Sequence, residues 1–261
     1  MAEPRWISPA AFPVLSRDAV HVWRGMLDLP APSVARSAGL LSPEEQARAS
    51  RFHFARDRRR FILAHGMLRS VVGAYLATEP SALRFERHPR GKPALIAAAG
   101  ARRLCFNLSH SGELALLAVA DDRDVGVDVE RIRPLGDAGG ISERHFAASE
   151  RDRLRAAPAD RTAEVFFTYW TRKEAVLKAT GDGLLSPLEE LDVSGVPPGC
   201  PGPLVVSDRA GLSHRLVVID LRPAAGYAGA LAAEGEGWQL ACWRWDDERK
   251  EGLGPPRGPH G

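Results

Sequence analysis

Lysine, cysteine and long apolar runs are all scarce in this chain. Lysine occurs only at positions 92, 173, 178 and 250, so arginine carries most of the positive charge. The three cysteines are odd in number and widely spaced, which fits neither a zinc site nor a disulfide framework. The longest apolar run, residues 114–120, is far too short to cross a bilayer. The sequence also lacks the Walker loop and the G-x-G-x-x-G, G-x-S-x-G and H-E-x-x-H patterns, which argues against the enzyme classes that those motifs mark.

The N-terminal residues lack a basic start followed by an apolar run, so no signal peptide is expected. Together with the cysteine pattern, this predicts a cytoplasmic protein that is not bound to a membrane.

Charge is unevenly distributed along the 261 residues, although the net charge is only +2. Between Arg48 and Arg103, thirteen Arg and Lys face three acids, an excess of ten positive charges. Such a field favours polyanionic ligands or acidic protein partners. The alternative is that arginine is simply frequent throughout the chain.

Turn signals and apolar periodicity predict an α+β fold in which each half has a long helix and a few strands. The predicted helices run from residue 43 towards 56, over 61–76, from about 149, and over 162–180. The predicted strands lie near residues 104–108, 114–119, 125–130, 215–221, 228–233 and 238–245. A turn is predicted at residues 109–112.

The polar stretch at residues 121–124 is the predicted boundary between the halves. The N-terminal half then covers residues 1–120, the C-terminal half covers 121–245, and the Gly- and Pro-rich tail 246–261 is predicted to be disordered. The sequence after Gly112 echoes the sequence after Gly226, which suggests an internal duplication, although strands of small residues often look alike.

The first motif with chemical content is Gly126-Val127-Asp128-Val129-Glu130. Alternate residues of a strand share a face, so the valines point one way and Gly126, Asp128 and Glu130 the other. Two carboxylates on one face repel each other unless a cation compensates, and Gly126 is expected to leave room for a ligand. The alternative is a solvated acidic face, which is the commoner meaning of an isolated D-x-E pattern.

The second motif, about forty residues later, runs from Trp170 to Lys178 and contains Lys173 and Glu174. Glu174 and Lys178 lie four residues apart and share a helix face. Alone they would form a surface ion pair worth about 0.2–0.5 kcal/mol, and Trp170 would belong to the core. A few carboxylates beside lysines match Mg²⁺ shared with a phosphate substrate, and no His/Cys cluster competes with that assignment.

Three further segments carry polar groups. Ser109, His110 and Ser111 are able to donate hydrogen bonds to a phosphate, although a Ser-His turn is usually only a turn. Lys92 presents a cation in a Gly-Lys-Pro turn that says little alone. The arginines at 58–60 fit a solvated helix face equally well.

These motifs in their order resemble those of the 4′-phosphopantetheinyl transferases, specifically the long, single-chain, pseudo-dimeric group and its W/KEA branch. The matching landmarks are the strand at 126–130, the helix at 170–178 with Gly181 and Gly183 after it, the Arg51-Phe52 segment, Gly91-Lys92-Pro93, and residues 106–111. The resemblance covers roughly residues 40–245. It implies a pseudo-dimer of two similar α+β halves with coenzyme A bound between them, and hence a monomer.

The resemblance also implies a reaction and roles for residues. The enzyme would transfer 4′-phosphopantetheine from coenzyme A to a serine of an apo acyl or peptidyl carrier protein, releasing adenosine 3′,5′-bisphosphate. Asp128, Glu130 and Glu174 would bind Mg²⁺, with Glu174 also the base and Lys178 neutralising the pyrophosphate. The remaining coenzyme A contacts would come from Arg48, Arg60, Lys92, Ser109, His110 and Lys173. The role of Glu150 stays open.

Carrier proteins of this kind are typically acidic, so the basic first half would steer them as well as bind coenzyme A. No nucleic-acid partner is expected. Two other functions remain open: a non-catalytic coenzyme A or carrier-protein binding module, and an unrelated Mg²⁺-dependent phosphate enzyme.

Overall fold

The computed structural model describes residues 4–87, 93–95, 103–136, 138–181, 187–200, 202–207 and 215–247. Lys92, Gly183 and the predicted tail beyond Asp247 lie outside these ranges, so what the sequence indicates for them stays a prediction. No helix in the described part of the chain has both the length and the apolar character that crossing a bilayer requires.

Six α-helices and eleven strands make up the described fold. The helices are α1 Ala31–Ala38, α2 Pro43–Ser50, α3 Ala55–Tyr75, α4 Ala138–His145, α5 Ala148–Arg155 and α6 Thr162–Thr180. The strands are β1 Trp6–Ile7, β2 Ala19–Met26, β3 Phe85–Arg87, β4 Pro93–Leu95, β5 Leu104–Ser111, β6 Leu114–Asp121, β7 Val125–Arg131, β8 Leu204–Ser207, β9 Arg215–Leu221, β10 Tyr227–Glu234 and β11 Gln239–Arg244. This mixture of helices and sheets confirms the α+β class.

The first large sheet has the strand order β1-β11-β2-β6-β5. Strand β6 pairs antiparallel with both β2 and β5, whereas β11 runs parallel to β1 and β2. The long helix α3 packs its apolar side on this sheet, where Leu63 and Met67 meet Trp23 and Leu117 in one buried cluster.

The second large sheet has the order β7-β10-β9-β8 and is antiparallel throughout. Helix α6 packs on it, and Val176 and Ala179 join Ala230 and Val218 in a second cluster. The helix ends at Gly181, whose φ of 73° is left-handed and whose N–H donates to Leu177 O at 3.0 Å.

A third apolar cluster joins the two sheets. It contains Leu114 and Leu116 of β6 together with all three valines of the first motif, Val125, Val127 and Val129. Each valine is at most 1% exposed, and burying a side chain of this kind contributes about 1.5–3 kcal/mol. The prediction that these valines face the core is confirmed, and the acidic face of β7 points the other way.

The two halves repeat one arrangement. In the first, β6 lies between β2 and β5 beneath α3, and in the second, β10 lies between β7 and β9 beneath α6. The central strands follow Gly112 and Gly226, both of which have positive φ. The observed repeat therefore coincides with the echo seen in the sequence.

Strand β11 departs from two consecutive halves. It falls inside the predicted half 121–245, yet it pairs with β2, so that Val22 is opposite Cys242. Asp247 also departs from the predicted tail, because its buried carboxylate accepts a hydrogen bond from Arg36 Nε at 3.1 Å. The first sheet is thus built from both ends of the chain.

Several predicted boundaries were wrong. The helix starting at Pro43 ends at Ser50 instead of reaching 56, and α3 begins at Ala55 instead of 61. The first turn of α3 is almost entirely charged, so apolar periodicity does not reveal it. Residues 109–111, read as a turn, extend β5, and the hydroxyls of Ser109 and Ser111 donate to the carboxylates of β7.

Candidate active site

Helix α6 crosses β7 directly over Gly126. A Cβ placed on Gly126 would lie 2.1 Å from Ala175 O and 2.3 Å from Ala179 N, closer than any side chain tolerates. The space that the sequence assigned to a ligand is therefore filled by the backbone of α6, which corrects that prediction. This close crossing brings Glu174 and Lys178 over the acidic face of β7.

Asp128 is at the centre of the site and is only 3% exposed. Its Oδ1 accepts hydrogen bonds from Ser109 Oγ at 2.8 Å and from Lys178 Nζ at 2.6 Å. Its Oδ2 is buried and has no hydrogen-bond partner in the described structure. A buried carboxylate oxygen without a partner is unfavourable, so this atom is open to a ligand that supplies positive charge.

Three carboxylates repel one another here. Burial raises the pKa of Asp128, and the charge of Lys178 opposes that rise. Burial raises the pKa of Glu130 as well; a hydrogen bond from Ser111 opposes the rise and the charge of Asp128 adds to it. The pKa of Glu174 is raised first by burial and then by Asp128 and Glu130. All three carboxylates interact with the charge of Lys178. One lysine does not balance three carboxylates, so these four side chains together carry excess negative charge.

The fit of these residues to a metal ion can be tested on their chemistry. No group of three or more His, Cys, Asp or Glu side chains in the described ranges is arranged to hold a metal ion. Asp128 is instead paired with Lys178. The donor set nevertheless suits a hard divalent cation, because it consists of carboxylate oxygens, one of them orphaned, in a region of excess negative charge.

A group of cations lies beside the carboxylates, around His110 on β5. The residue is exposed, yet crowding by protein atoms lowers the pKa of its imidazole. The positive charges that lower this pKa further are those of His65, Lys178, Arg48 and Arg60. The structure thus gathers predicted ligand-binding residues from α2, α3, β5 and α6, and Arg60 itself lies 3.4 Å from Glu113.

Lys173 does not belong to this site, which corrects its predicted role in coenzyme A binding. It is fully buried, and its Nζ lies 2.9 Å from Glu150 Oε2 and donates to Leu188 O at 2.8 Å. Glu150 also accepts from the amides of Ala147 and Val193, both at 2.8 Å. This buried pair gives Glu150 a role: the contact between Glu150 and Lys173 fixes α6 against α5 and against residues 188–193, which follow α6.

Arg172 anchors α6 on its neighbouring side. Its guanidinium binds the Asp220 carboxylate with two hydrogen bonds of 2.7 and 2.6 Å and donates to Val193 O and Val196 O. Trp170 stacks on Phe166, as expected of a core residue. Of the signature helix, Glu174 and Lys178 reach the site, and the residues just before them hold the helix in place.

Sequence reasoning missed His65 and did not connect Ser111 with Glu130. His65 lies one turn after Phe61 with the rings 4.1 Å apart, and its Nδ1 is 3.0 Å from Glu45 Oε1. Ser111 donates to Glu130 Oε2 at 2.8 Å. His65 follows Phe61 by four residues, a helical spacing that predicts contact between the two side chains. Ser111 was assigned to a turn, which hid its position on the strand.

Two family models match most of this chain. Residues 31–122 match the family described as 4′-phosphopantetheinyl transferase, N-terminal, and residues 124–232 match the 4′-phosphopantetheinyl transferase superfamily. The two matches meet at the turn between β6 and β7.

Individual relatives carry the same description. The chain is 39% identical over 245 residues to the 4′-phosphopantetheinyl transferase HetI of Nostoc sp., covering 94% of this chain and 100% of that protein. It is 39% identical over 144 residues to psf-1 of Bacillus pumilus, covering 55% and 59%, and 31% identical over 158 residues to Sfp of Bacillus subtilis, covering 60% and 68%. With its full-length likeness to HetI, the chain belongs to the 4′-phosphopantetheinyl transferase family.

Proposed function

We propose that this protein transfers the 4′-phosphopantetheine group from coenzyme A to a serine of an apo acyl or peptidyl carrier protein, with Mg²⁺ as cofactor. The observation that carries the proposal is the cluster of three mutually repelling carboxylates around the orphaned Oδ2 of Asp128, with a group of cations beside it. Carboxylates suit a divalent cation, and cationic side chains suit phosphates. The two groups side by side therefore fit a pyrophosphate substrate that carries a bound metal ion.

Coenzyme A binds along the cations of the cleft. Arg48, Arg60 and His110 hold the 3′-phosphate, since both arginines interact electrostatically with His110 and the three side chains carry the donors that a phosphate needs. Ser109 lies along the nucleotide, and a contact from Lys92, which is outside the described residues, is proposed from the sequence alone. Lys178 turns from Asp128 to the pyrophosphate and neutralises the charge that develops as the phosphoanhydride bond breaks.

Glu174 is the base for the carrier serine. Burial, followed by the charges of Asp128 and Glu130, raises its pKa, so it is a better proton acceptor than an exposed glutamate. Glu174 takes the hydroxyl proton, the serine oxygen bonds to the β-phosphorus, and adenosine 3′,5′-bisphosphate leaves. Asp128, Glu130 and Glu174 would hold Mg²⁺, which, when bound, withdraws charge from the phosphate oxygens.

The partner is an acidic carrier-protein domain, supported by the ten excess positive charges between Arg48 and Arg103. We propose a monomer, because the repeated halves of one chain already supply both sides of the cleft. We also propose a cytoplasmic location.

The test is to incubate the protein with coenzyme A, Mg²⁺ and an apo carrier protein and to weigh the carrier by mass spectrometry. We expect the carrier to gain one phosphopantetheine. Activity on free nucleotides without a carrier would instead support an unrelated phosphate enzyme, and binding without transfer would support a non-catalytic module.

Glu174→Gln is the informative variant, because it keeps the shape and removes the base and its charge. We expect turnover to fall about 100-fold or more. Glu164→Gln is the matched control, since Glu164 is on the same helix and pairs with the exposed Arg161. Near-normal turnover in Glu174→Gln would remove Glu174 from the mechanism.

A further inference from the structure

The open edge of β7 is covered by side chains. Strand β7 pairs with β10 on one side only and is therefore an edge strand of its sheet. On the other side, the Val127 amide donates to Asn107 Oδ1 at 2.8 Å and the Arg131 amide donates to Ser111 Oγ at 3.1 Å. An unpaired strand edge needs such partners, and here strand β5 supplies them without a backbone ladder.

Three alternate residues of β5 make these contacts: Asn107, Ser109 and Ser111. Because alternate residues share a face of a strand, all three point towards β7. Asn107 contacts the backbone, Ser109 donates to Asp128 at 2.8 Å, and Ser111 donates to Glu130 at 2.8 Å. We call these three residues the β5 polar row.

Ser111 has two roles in this row. Its hydroxyl accepts the Arg131 amide and donates its proton to Glu130 Oε2. One atom therefore ties the acidic side chain to the backbone of the next residue in β7. Only a group that donates and accepts at once can do this, so a methyl at this position would lose both bonds.

We propose that Ser111 is a positioning residue that fixes the Glu130 carboxylate for metal binding. This inference rests on the proposed function, because it concerns the same acidic cluster. A carboxylate that is free to change rotamer loses conformational entropy when it binds an ion. Glu130 is already fixed by the hydrogen bond from Ser111. Hydrogen-bond partners of metal ligands commonly govern metal affinity.

The experiment measures binding of Mn²⁺ alone, by electron paramagnetic resonance, to the protein without coenzyme A. We expect Ser111→Ala to weaken Mn²⁺ binding about 10-fold or more. Ser111→Thr restores the hydroxyl and should bind within about 3-fold of wild type. Ser149→Ala is the matched control, since it removes a serine–carboxylate bond of 2.8 Å to Asp192 at an exposed place, and it should leave the affinity unchanged.

A double variant separates positioning from general stability. If Ser111 acts through Glu130, adding Ser111→Ala to Glu130→Gln should weaken binding less than about 2-fold further, because the bond to a charged carboxylate is already gone. A further loss of about 10-fold in that background would overturn the proposal.

The two proposals fail differently. Wild-type protein that binds no Mn²⁺ would overturn the metal assignment and the role of Ser111 with it. Wild-type binding that Ser111→Ala leaves unchanged would overturn the role of Ser111 alone. As a metal-independent readout, amide exchange at Arg131 should be faster in Ser111→Ala and near wild type in Ser111→Thr, and unchanged exchange in Ser111→Ala would contradict the bridge.

Discussion

At the scale of single residues, the site is a compromise between folding and chemistry. Asp128 is buried with one oxygen bonded to Lys178 and the other without a hydrogen-bond partner among the described residues, and burial, followed by the charges of Asp128 and Glu130, raises the pKa of Glu174. Folding alone would favour fewer charges here. The arrangement makes sense when a dication and a pyrophosphate share the space, since each supplies charge that the other lacks.

The raised carboxylate pKa values give stability a defined pH dependence. The folded, metal-free protein holds protons at these groups more tightly than the unfolded chain, so their contribution is most favourable at low pH and is lost as the pH rises above the ordinary value of 4.5 for Glu174. We expect Glu174→Gln to melt above wild type by about 2–4 °C at pH 7.5 in EDTA. The gap should shrink towards pH 4, and a pH-independent gap or a lower Tm in scanning calorimetry would contradict this.

Arg60 is expected to recognise the 3′-phosphate only. Arg60→Ala should raise the KM for coenzyme A about 10-fold or more, as for loss of a bond to a charged group, and leave the KM for dephospho-coenzyme A nearly unchanged. Arg56→Ala is the control, because Arg56 is exposed on the same helix and pairs with its neighbour Asp57. Equal losses on both substrates in steady-state assays would place Arg60 elsewhere.

At the scale of elements, the signature helix and strand were readable from sequence because their patterns are local. The helix 162–180 matched its predicted span, because apolar spacing and Gly181 mark it directly. The strand 215–221, outside the two motifs, matched its predicted span as well. Strand β2 and helix α1 were not predicted. Lys173 and Lys178 were treated alike in sequence, and only the packing of α6 shows that one is buried against Glu150 and the other reaches Asp128.

The crossing of α6 and β7 predicts the effect of one methyl group. Gly126→Ala would place a carbon against the α6 backbone, so the helix must move and Glu174 with it. We expect a loss of about 1–3 kcal/mol in stability and a large fall in carrier loading. Gly136→Ala, where a Cβ meets no atom within 4 Å, is the control. A fully active and equally stable Gly126→Ala protein would refute the close contact.

At the scale of the whole molecule, the sequence did not reveal how the first sheet is completed. The division into halves at residues 120 and 121 stays a prediction; the polar stretch 121–124 spans the end of β6 and the turn before β7. Nothing local in residues 239–244 reveals their pairing with β2. Pairing over such a separation is decided by the complete fold.

Two shortened chains test this joining. A chain ending at Asp247 keeps β11 and the Arg36–Asp247 pair, and we expect its Tm to lie within about 2 °C of the full chain. A chain ending at Gly237 lacks β11 and leaves β2 with an open edge, so we expect no cooperative unfolding transition. A folded protein ending at Gly237, seen by circular dichroism, would show that the last strand is dispensable.

The position of β11 also bears on how the nascent chain matures. On the ribosome, β2 emerges long before β11, at roughly 5–20 residues per second. The first sheet thus stays incomplete until β11 has been made, and such distant pairing slows folding. Until then the apolar edge of β2 is unpaired, so we expect chaperones to bind the nascent chain at β2. For the same reason, two separately expressed pieces divided at the β6–β7 turn should not fold independently.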